Sequence, residues 1–327
     1  MSARPAIACL GAGRMGRGIA VAFAYAGHDV AIVDFKPRDA DAFEALRAEA
    51  LGEISKTFAS MARFGLLTDA DIATLMARVS IVAEADAAAA LRQSAVIFEG
   101  VPELLDLKRD ALAKASQLAG PAPIIASTTS TILVDDLSGA VAHPERFLNA
   151  HWLNPAYLVP LVEVSPGADT DPAVTAKLKA LLEGIGKVPV ICAASPGYIV
   201  PRIQALAMNE AARMVEEGVA SAEDIDKAIK YGFGFRFAVL GLLEFIDWGG
   251  GDILYYASNY LTGALNSDRY AAPEIIGRHM AEGKLGLRSG EGFLNYDGRD
   301  LDAYREGRLS AFVDLLKHFE LQKPPVL

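Results

Sequence analysis

Short β-branched runs alternate with helical stretches through the first half of the chain. The apolar runs are AIACLG, DVAIVD, SIVA, AVIFEGV, PIIAST, FLNAHW and LVEV, and segments such as Asp39–Phe64 and Leu105–Ala119 between them carry a helical pattern. That alternation predicts a mostly parallel sheet covered by helices. A late unit follows. Thr170-Asp171-Pro172 reads as a helix cap with proline in the first turn, the helix runs to about Gly184, and VPVICA adds a strand. After SPGY the pattern changes. From about Ile199 long helical patterns take over, such as IVPRIQALAMNEAARMVEEG, with Gly218 as a C-cap and SAED from Ser221 as a capping box. The expected organisation is an α/β domain over residues 1–195 followed by an all-α domain over residues 196–327.

Composition narrows the class of partner. The 327 residues suffice for two cores, and 52% of them are hydrophobic with no low-complexity segment. The net charge of -10, with no Lys/Arg-rich block, argues against nucleic acid but leaves room for a local basic pocket and an anionic small molecule. Cys9 and Cys192 both lie in apolar runs and read as buried small hydrophobes rather than a disulfide or metal ligands. His28, His143, His279 and His318 lack ligand spacing with one another, so no metal is expected. Neither a leader peptide nor an uncharged apolar run of about 18 residues is visible. The expectation is a soluble, cytoplasmic protein with no membrane partner.

The first candidate chemistry is the turn after the opening strand. Gly11, Gly13 and Gly16 form G-x-G-x-x-G, with Arg14 and Met15 in its variable positions, and RGIAVAFAYAG continues as a small-residue helix. Such a turn permits close approach of a pyrophosphate, whose charge meets the amides at the helix start. A second strand ends at Asp34, eighteen residues past Gly16. A carboxylate there accepts hydrogen bonds from ribose hydroxyls and repels a 2′-phosphate, so NAD is expected over NADP, with Lys36 and Arg38 moderating the preference. The first domain is thus expected to be of the Rossmann type.

The second is RFLNAHWLNPAYLVPLVEVSPG. His151 ends one apolar strand, and Glu163 lies twelve residues later inside another. A carboxylate in an apolar strand needs a partner, and an imidazole oriented by it suits a general base.

These segments, in order, resemble the L-3-hydroxyacyl-CoA dehydrogenase family over nearly the whole chain. The resemblance is carried by the G-x-G-x-M-G turn, EGVPE with Glu99 and Glu103, the loop ASTTSTI, H-x-x-N-P at His151–Pro155, VEV, the junction Pro196–Val200, EDID, and GKLG…GEGF. It implies NAD-dependent oxidation of a 3-hydroxyacyl-CoA or related 3-hydroxy acid. It also implies His151 as catalytic base, Glu163 as its orienting partner, and Ser130 and Asn154 around the reacting oxygen. Glu99 and Lys108 would lie beside the nicotinamide ribose, with Glu103 in the same cofactor set. The apolar AVLGLLEFIDW of the helical domain would line the substrate cleft and form a homodimer interface.

Three departures bear on the substrate. Thr128 stands where the family usually has Asn, and Pro201 replaces another Asn, removing a polar side chain and a backbone donor. GFGFRFAVLGLLEFIDWGGGD, from Gly232 to Asp252, resembles the free-acid branch containing L-gulonate 3-dehydrogenase, lambda-crystallin and L-carnitine dehydrogenase. Arg236 is then a candidate bidentate clamp for a free carboxylate. The segment Lys56–Arg63 offers few cations for a phosphorylated ADP, and the aromatics from Phe233 to Trp248 suit either a pyridine aldehyde acid or a dimer core. A non-catalytic, crystallin-like or NAD-sensing protein is the alternative outside enzymology.

Overall fold

The computed structural model describes residues 4–326. The chain divides into two compact units, one ending at Ala207 and the other beginning at Met208.

The first unit is built on eight strands: β1 Ala6–Leu10, β2 Val30–Asp34, β3 Val79–Ala83, β4 Ser94–Glu99, β5 Ile124–Ser127, β6 Phe147–Trp152, β7 Leu161–Pro166 and β8 Val188–Ile191. Their order is β3-β2-β1-β4-β5-β6-β7-β8, and every pairing is parallel except β6 with β7. The expected mostly parallel sheet is therefore present. Helices cover both faces, which is why its strands read as continuous apolar runs. In β1, Ile7, Ala8, Cys9 and Leu10 are all fully buried. Ile7 and Cys9 face one apolar layer, and Ala8 and Leu10 the other. Burial pushes the Cys9 thiol far up, so it stays a neutral packing group.

The first layer holds α1 (Arg14–Tyr25) and α2 (Ala40–Arg63). Ala50, Ile54, Phe58 and Met61 of α2 recur at helical spacing and are the buried stripe. Asp39 caps α2 by accepting from the Ala42 amide. Phe23, Phe98 and Trp152 cluster with ring centroids 5.5–6.1 Å apart. Trp152 ends β6, next to His151, so this cluster holds the strand that carries the imidazole. Beyond β6 the chain is pinned by Lys187, a buried ammonium donating to the carbonyls of Ala156 (2.6 Å) and Val159 (2.8 Å). Burial pushes its pKa down, and the two carbonyls satisfy the charge that remains. The loop that carries Asn154 is thereby tied to the start of β8.

The second unit is helical, as expected. Its main helices are Ala222–Ala228, Leu242–Gly249, Gly251–Ala264, Glu274–Glu282 and Leu301–His318. Ser221 caps the first of these by accepting from the Asp224 amide. The organising residue is Asp247, which is 2% exposed. Its carboxylate accepts from the amides of Phe293 (2.9 Å) and Leu294 (2.8 Å) and from the Tyr296 hydroxyl (3.2 Å). A Cβ on Gly292 would stand 2.1 Å from that carboxylate, so the GEGF segment needs glycine there to close on Asp247. Hydrogen bonds to a charged acceptor of this kind contribute about 1.5–3 kcal/mol each when one partner is deleted. Among the described residues no helix is long and apolar enough to cross a membrane.

Candidate active site

The glycine turn sits where the strand order reverses, between β1 and β4. Gly11 takes φ +94°, a conformation that side chains rarely adopt, although a Cβ there would only touch the Gly100 carbonyl at 3.4 Å. A Cβ on Gly16 would meet the Gly11 carbonyl at 2.1 Å, so the protein itself requires both glycines, Gly11 for its backbone conformation and Gly16 for close packing. Gly13 differs: nothing lies within 4 Å of its ideal Cβ, and no side chain caps α1. Open space before an uncapped helix start is what a dinucleotide's pyrophosphate needs. The adjoining cavity of about 490 Å³ runs from Gly11 and Gly13 to Asp34, Arg38 and Lys114. Asp34 ends β2 buried, and its carboxylate accepts from Arg38 Nε. The residues present fit an NAD cofactor.

The second cleft, about 420 Å³, brings together Arg14, Met15, Glu103, Lys108, Ser130, His151, Asn154, Pro201 and Gln204. Antiparallel pairing places His151 directly opposite Glu163. His151 Nδ1 lies 2.8 Å from Glu163 Oε2. Glu163 is fully buried, and its Oε1 accepts from the amides of Ile199 (2.9 Å) and Val200 (2.8 Å), at the start of the helix Val200–Glu216. The carboxylate is therefore held by three donors and aims a fixed oxygen at the imidazole.

The turn after β4 is a charged knot. Glu99 is fully buried and accepts from Lys108 Nζ (2.9 Å), from the Val101 amide (2.8 Å) and from the Ser127 hydroxyl. Lys108 also lies 3.3 Å from Glu103 Oε2. Glu99 has no surface on the cleft, whereas Glu103 and Lys108 line it. The other oxygen of Glu103 gathers the Ser130 amide (2.9 Å), the Thr131 amide (3.1 Å), the Thr131 hydroxyl (2.9 Å) and the Thr129 hydroxyl. Partial burial works to raise the Glu103 carboxyl, but the Thr129 hydroxyl, the Lys108 ammonium and the loop donors outweigh it and hold it below the ordinary carboxylate range. Glu103, expected only among cofactor contacts, thus holds the loop that carries Ser130.

Sequence reasoning missed three residues here. Tyr198 stacks parallel on His151 with centroids 5.2 Å apart, and its hydroxyl donates to the Thr129 carbonyl and accepts from Asn149 Nδ2, both at 3.0 Å. Burial raises its phenol, which stays protonated. Asn149 stands two residues before His151 on the same strand, hence on the same face, and that spacing was the available signal. Gln204 brings a side-chain amide into the cleft one turn after Pro201. The backbone donor lost at Pro201 costs nothing, because proline falls in the first helical turn where that donor has no intrahelical partner. Arg236 lies in the second unit, its guanidinium 5.5 Å from the Phe245 ring centroid.

Comparison with known proteins identifies the family. Residues 6–195 match the NAD binding domain of 3-hydroxyacyl-CoA dehydrogenases, and residues 197–296 match their C-terminal domain. The chain is 30% identical to 5-formyl-3-hydroxy-2-methylpyridine 4-carboxylate 5-dehydrogenase of Mesorhizobium japonicum, over 96% of this chain and 98% of that protein. It is 32% identical to a probable 3-hydroxybutyryl-CoA dehydrogenase of Deinococcus radiodurans, over 88% and 98%. Among solved structures it resembles a 3-hydroxyacyl-CoA dehydrogenase from Archaeoglobus fulgidus with a TM-score of 0.76 at 30% identity, covering 98% of this chain and 100% of that one.

The geometry makes two of these roles measurable. Replacing Asp34 with Ala removes the carboxylate expected to repel a 2′-phosphate and frees Arg38 beside it. The ratio of kcat/KM for NAD over NADP should fall at least tenfold, and an unchanged ratio would remove Asp34 from cofactor choice. Glu103 has a folded pKa below its ordinary value near 4.5, so its contribution to stability is complete above that pH and is lost as pH falls through the lowered value. In denaturant unfolding, Glu103→Gln should flatten the loss of stability below about pH 4.5; an identical pH slope would contradict this.

Proposed function

The chain belongs to the 3-hydroxyacyl-CoA dehydrogenase family and is an NAD-dependent oxidoreductase, and we propose that it oxidises the hydroxyl of a 3-hydroxy acid or its thioester with His151 as general base. The His151–Glu163 pair, 2.8 Å apart with the imidazole on the cleft, carries this reading. An ionised carboxylate only accepts, so Nδ1 holds the ring proton and Nε2 keeps its lone pair. Nε2 takes the hydroxyl proton as the same carbon gives up hydride. NAD, when bound, supplies the hydride acceptor. Glu163 stabilises the imidazolium that forms, and the parallel Tyr198 ring fixes its plane. Ser130 and Asn154 offer neutral donors to the reacting oxygen, Ser130 from a loop pinned by Glu103 and Asn154 from one pinned by Lys187.

Between thioester and free acid, the cations of α2 favour the free acid. Arg47 is paired with Glu44 and Lys56 with Glu53, while Arg63 donates to Ser60. Of the three cations of α2 only Arg63 has no carboxylate partner among the described residues, a thin supply for a nucleotide phosphate. A relative matched nearly end to end is named for a pyridine carboxylate.

The second unit supports a homodimer. On the helix Gly251–Ala264, Ile253, Tyr256 and Tyr260 recur at helical spacing and are 62–73% exposed. A stripe of this kind marks an association surface.

His151→Ala should cut NADH formation roughly 10²- to 10⁴-fold while NADH still binds. The assay compares 3-hydroxybutyryl-CoA with free hydroxy acids and pyridine aldehydes, and near-wild-type turnover by the variant would end the dyad assignment. In sedimentation velocity the wild type should run as a dimer and Tyr260→Glu as a monomer; a monomeric wild type overturns that part.

A further inference from the structure

Two clefts of the first unit share Arg14 and Asn154. One is the His151 cleft. The other, about 370 Å³, lies between α1, α2 and the loop after β6, and Arg17, Thr57 and Pro155 also line it. Arg14 therefore stands where the two clefts meet. Its main chain opens α1 beside the cofactor turn, yet the residue also lines the space that holds the imidazole.

The charges around it are otherwise accounted for. Lys108 is held by Glu99 and Glu103. Arg17 lies 3.4 Å from Glu49, and Glu53 is taken by Lys56. Arg14 is exposed and, among the described residues, makes no hydrogen bond or ion pair of its own. A guanidinium without a protein partner, on a residue that shares a cleft with a proton-accepting imidazole and two neutral donors, is suited to one ligand feature, a planar anion that accepts two parallel N–H bonds.

We propose that Arg14 binds the free carboxylate of the substrate and thereby selects hydroxy acids over uncharged hydroxyalkyl groups. This rests on the dehydrogenase reading above, with the reacting oxygen at His151, Ser130 and Asn154. The acid group then lies on the α1 side of the cleft, toward the space between α1 and α2. Gly18 helps to keep that space narrow: a Cβ there would stand 3.1 Å from the Ala156 Cβ, so α1 and the Asn154 loop approach closely. Arginine at position 14 therefore divides the labour of the glycine turn, with amides facing the cofactor and a side chain facing the substrate.

The test measures carboxylate binding without turnover. The enzyme–NADH complex is titrated with acetoacetate, and separately with pyridine-4-carboxylate as an aromatic acid, following NADH fluorescence. Wild type, Arg14→Gln and Arg14→Lys are compared, and NADH affinity is measured on its own. The expected result is carboxylate binding weakened roughly 10- to 150-fold in Arg14→Gln, the range of a charge-assisted hydrogen bond, partly recovered in Arg14→Lys, with NADH affinity close to wild type. Two results overturn the proposal. NADH affinity falling in parallel would give the arginine to the cofactor's diphosphate. Neither acid binding better to wild type than to Arg14→Gln would leave the residue without a ligand. No proton or hydride moves in this experiment, so the loss of a catalytic role for His151 would not change its outcome, and His151→Ala is expected to bind the acids still.

Discussion

A carboxylate buried in strand β7 is the constraint on which the rest of the site depends. Glu163 has no solvent exposure, and an isolated charge there would cost several kcal/mol. Its two oxygens are met from different directions, by the imidazole of His151 and by the amides of Ile199 and Val200. Those amides point at it only if the chain turns sharply before them. Tyr198 absorbs that turn with φ +46°, a left-handed conformation unusual for a bulky residue and costing about 1–3 kcal/mol. The same turn lays its ring flat on His151 and delivers its hydroxyl to Asn149 and Thr129. One buried charge thus decides the orientation of the imidazole, the start of a helix and the position of the aromatic ring covering the base.

Much of this was open to reading from the chain, and the parts that were not share a cause. The strands announced themselves because a sheet covered on both faces must be apolar throughout, so each run had a beginning and an end in composition alone. A glutamate in LVEV called for a partner, but it was the family resemblance of the ordered motifs, rather than the two residues alone, that pointed to His151. The role of Glu103 was not readable, since EGVPE says nothing about a loop some 26 residues later whose amides and hydroxyls fold onto that carboxylate. Tyr198 was visible only as an aromatic in a motif, because its value lies in a stacking contact between residues 47 apart. Sequence patterns report periodicity and local capping; they do not report which distant polar group will complete a shell.

The charges of the cleft fall into two separate groups. Glu99, Lys108 and Glu103 form a nearly closed set, two carboxylates on one buried ammonium, with the excess negative charge spread over loop donors. That arrangement serves rigidity: it fixes the turn after β4, where the cofactor crevice and the His151 cleft adjoin, and it sets the Ser130 loop by hydrogen bonds to a charged acceptor. It also means that Lys108, though on the cleft, has little charge to offer a substrate. Any positive charge the cleft offers to an anion falls to residues outside the knot, such as Arg14.

The glycine turn is best understood as several devices compressed into six residues. Gly11 and Gly16 answer to the protein, the first through its φ of +94° and the second because a side chain there would strike the Gly11 carbonyl. Gly13 answers to the ligand, because no protein atom competes for the space beside it. Met15 packs as a partly buried hydrophobe against the first apolar layer. What remains is Arg14, whose side chain packing leaves free while its backbone opens the helix at the cofactor turn. The residue lines the same cleft as Ser130, His151 and Asn154. Among the described residues no contact fixes the side chain at position 14, whereas Gly16 is held by the Gly11 carbonyl and Glu163 by three donors.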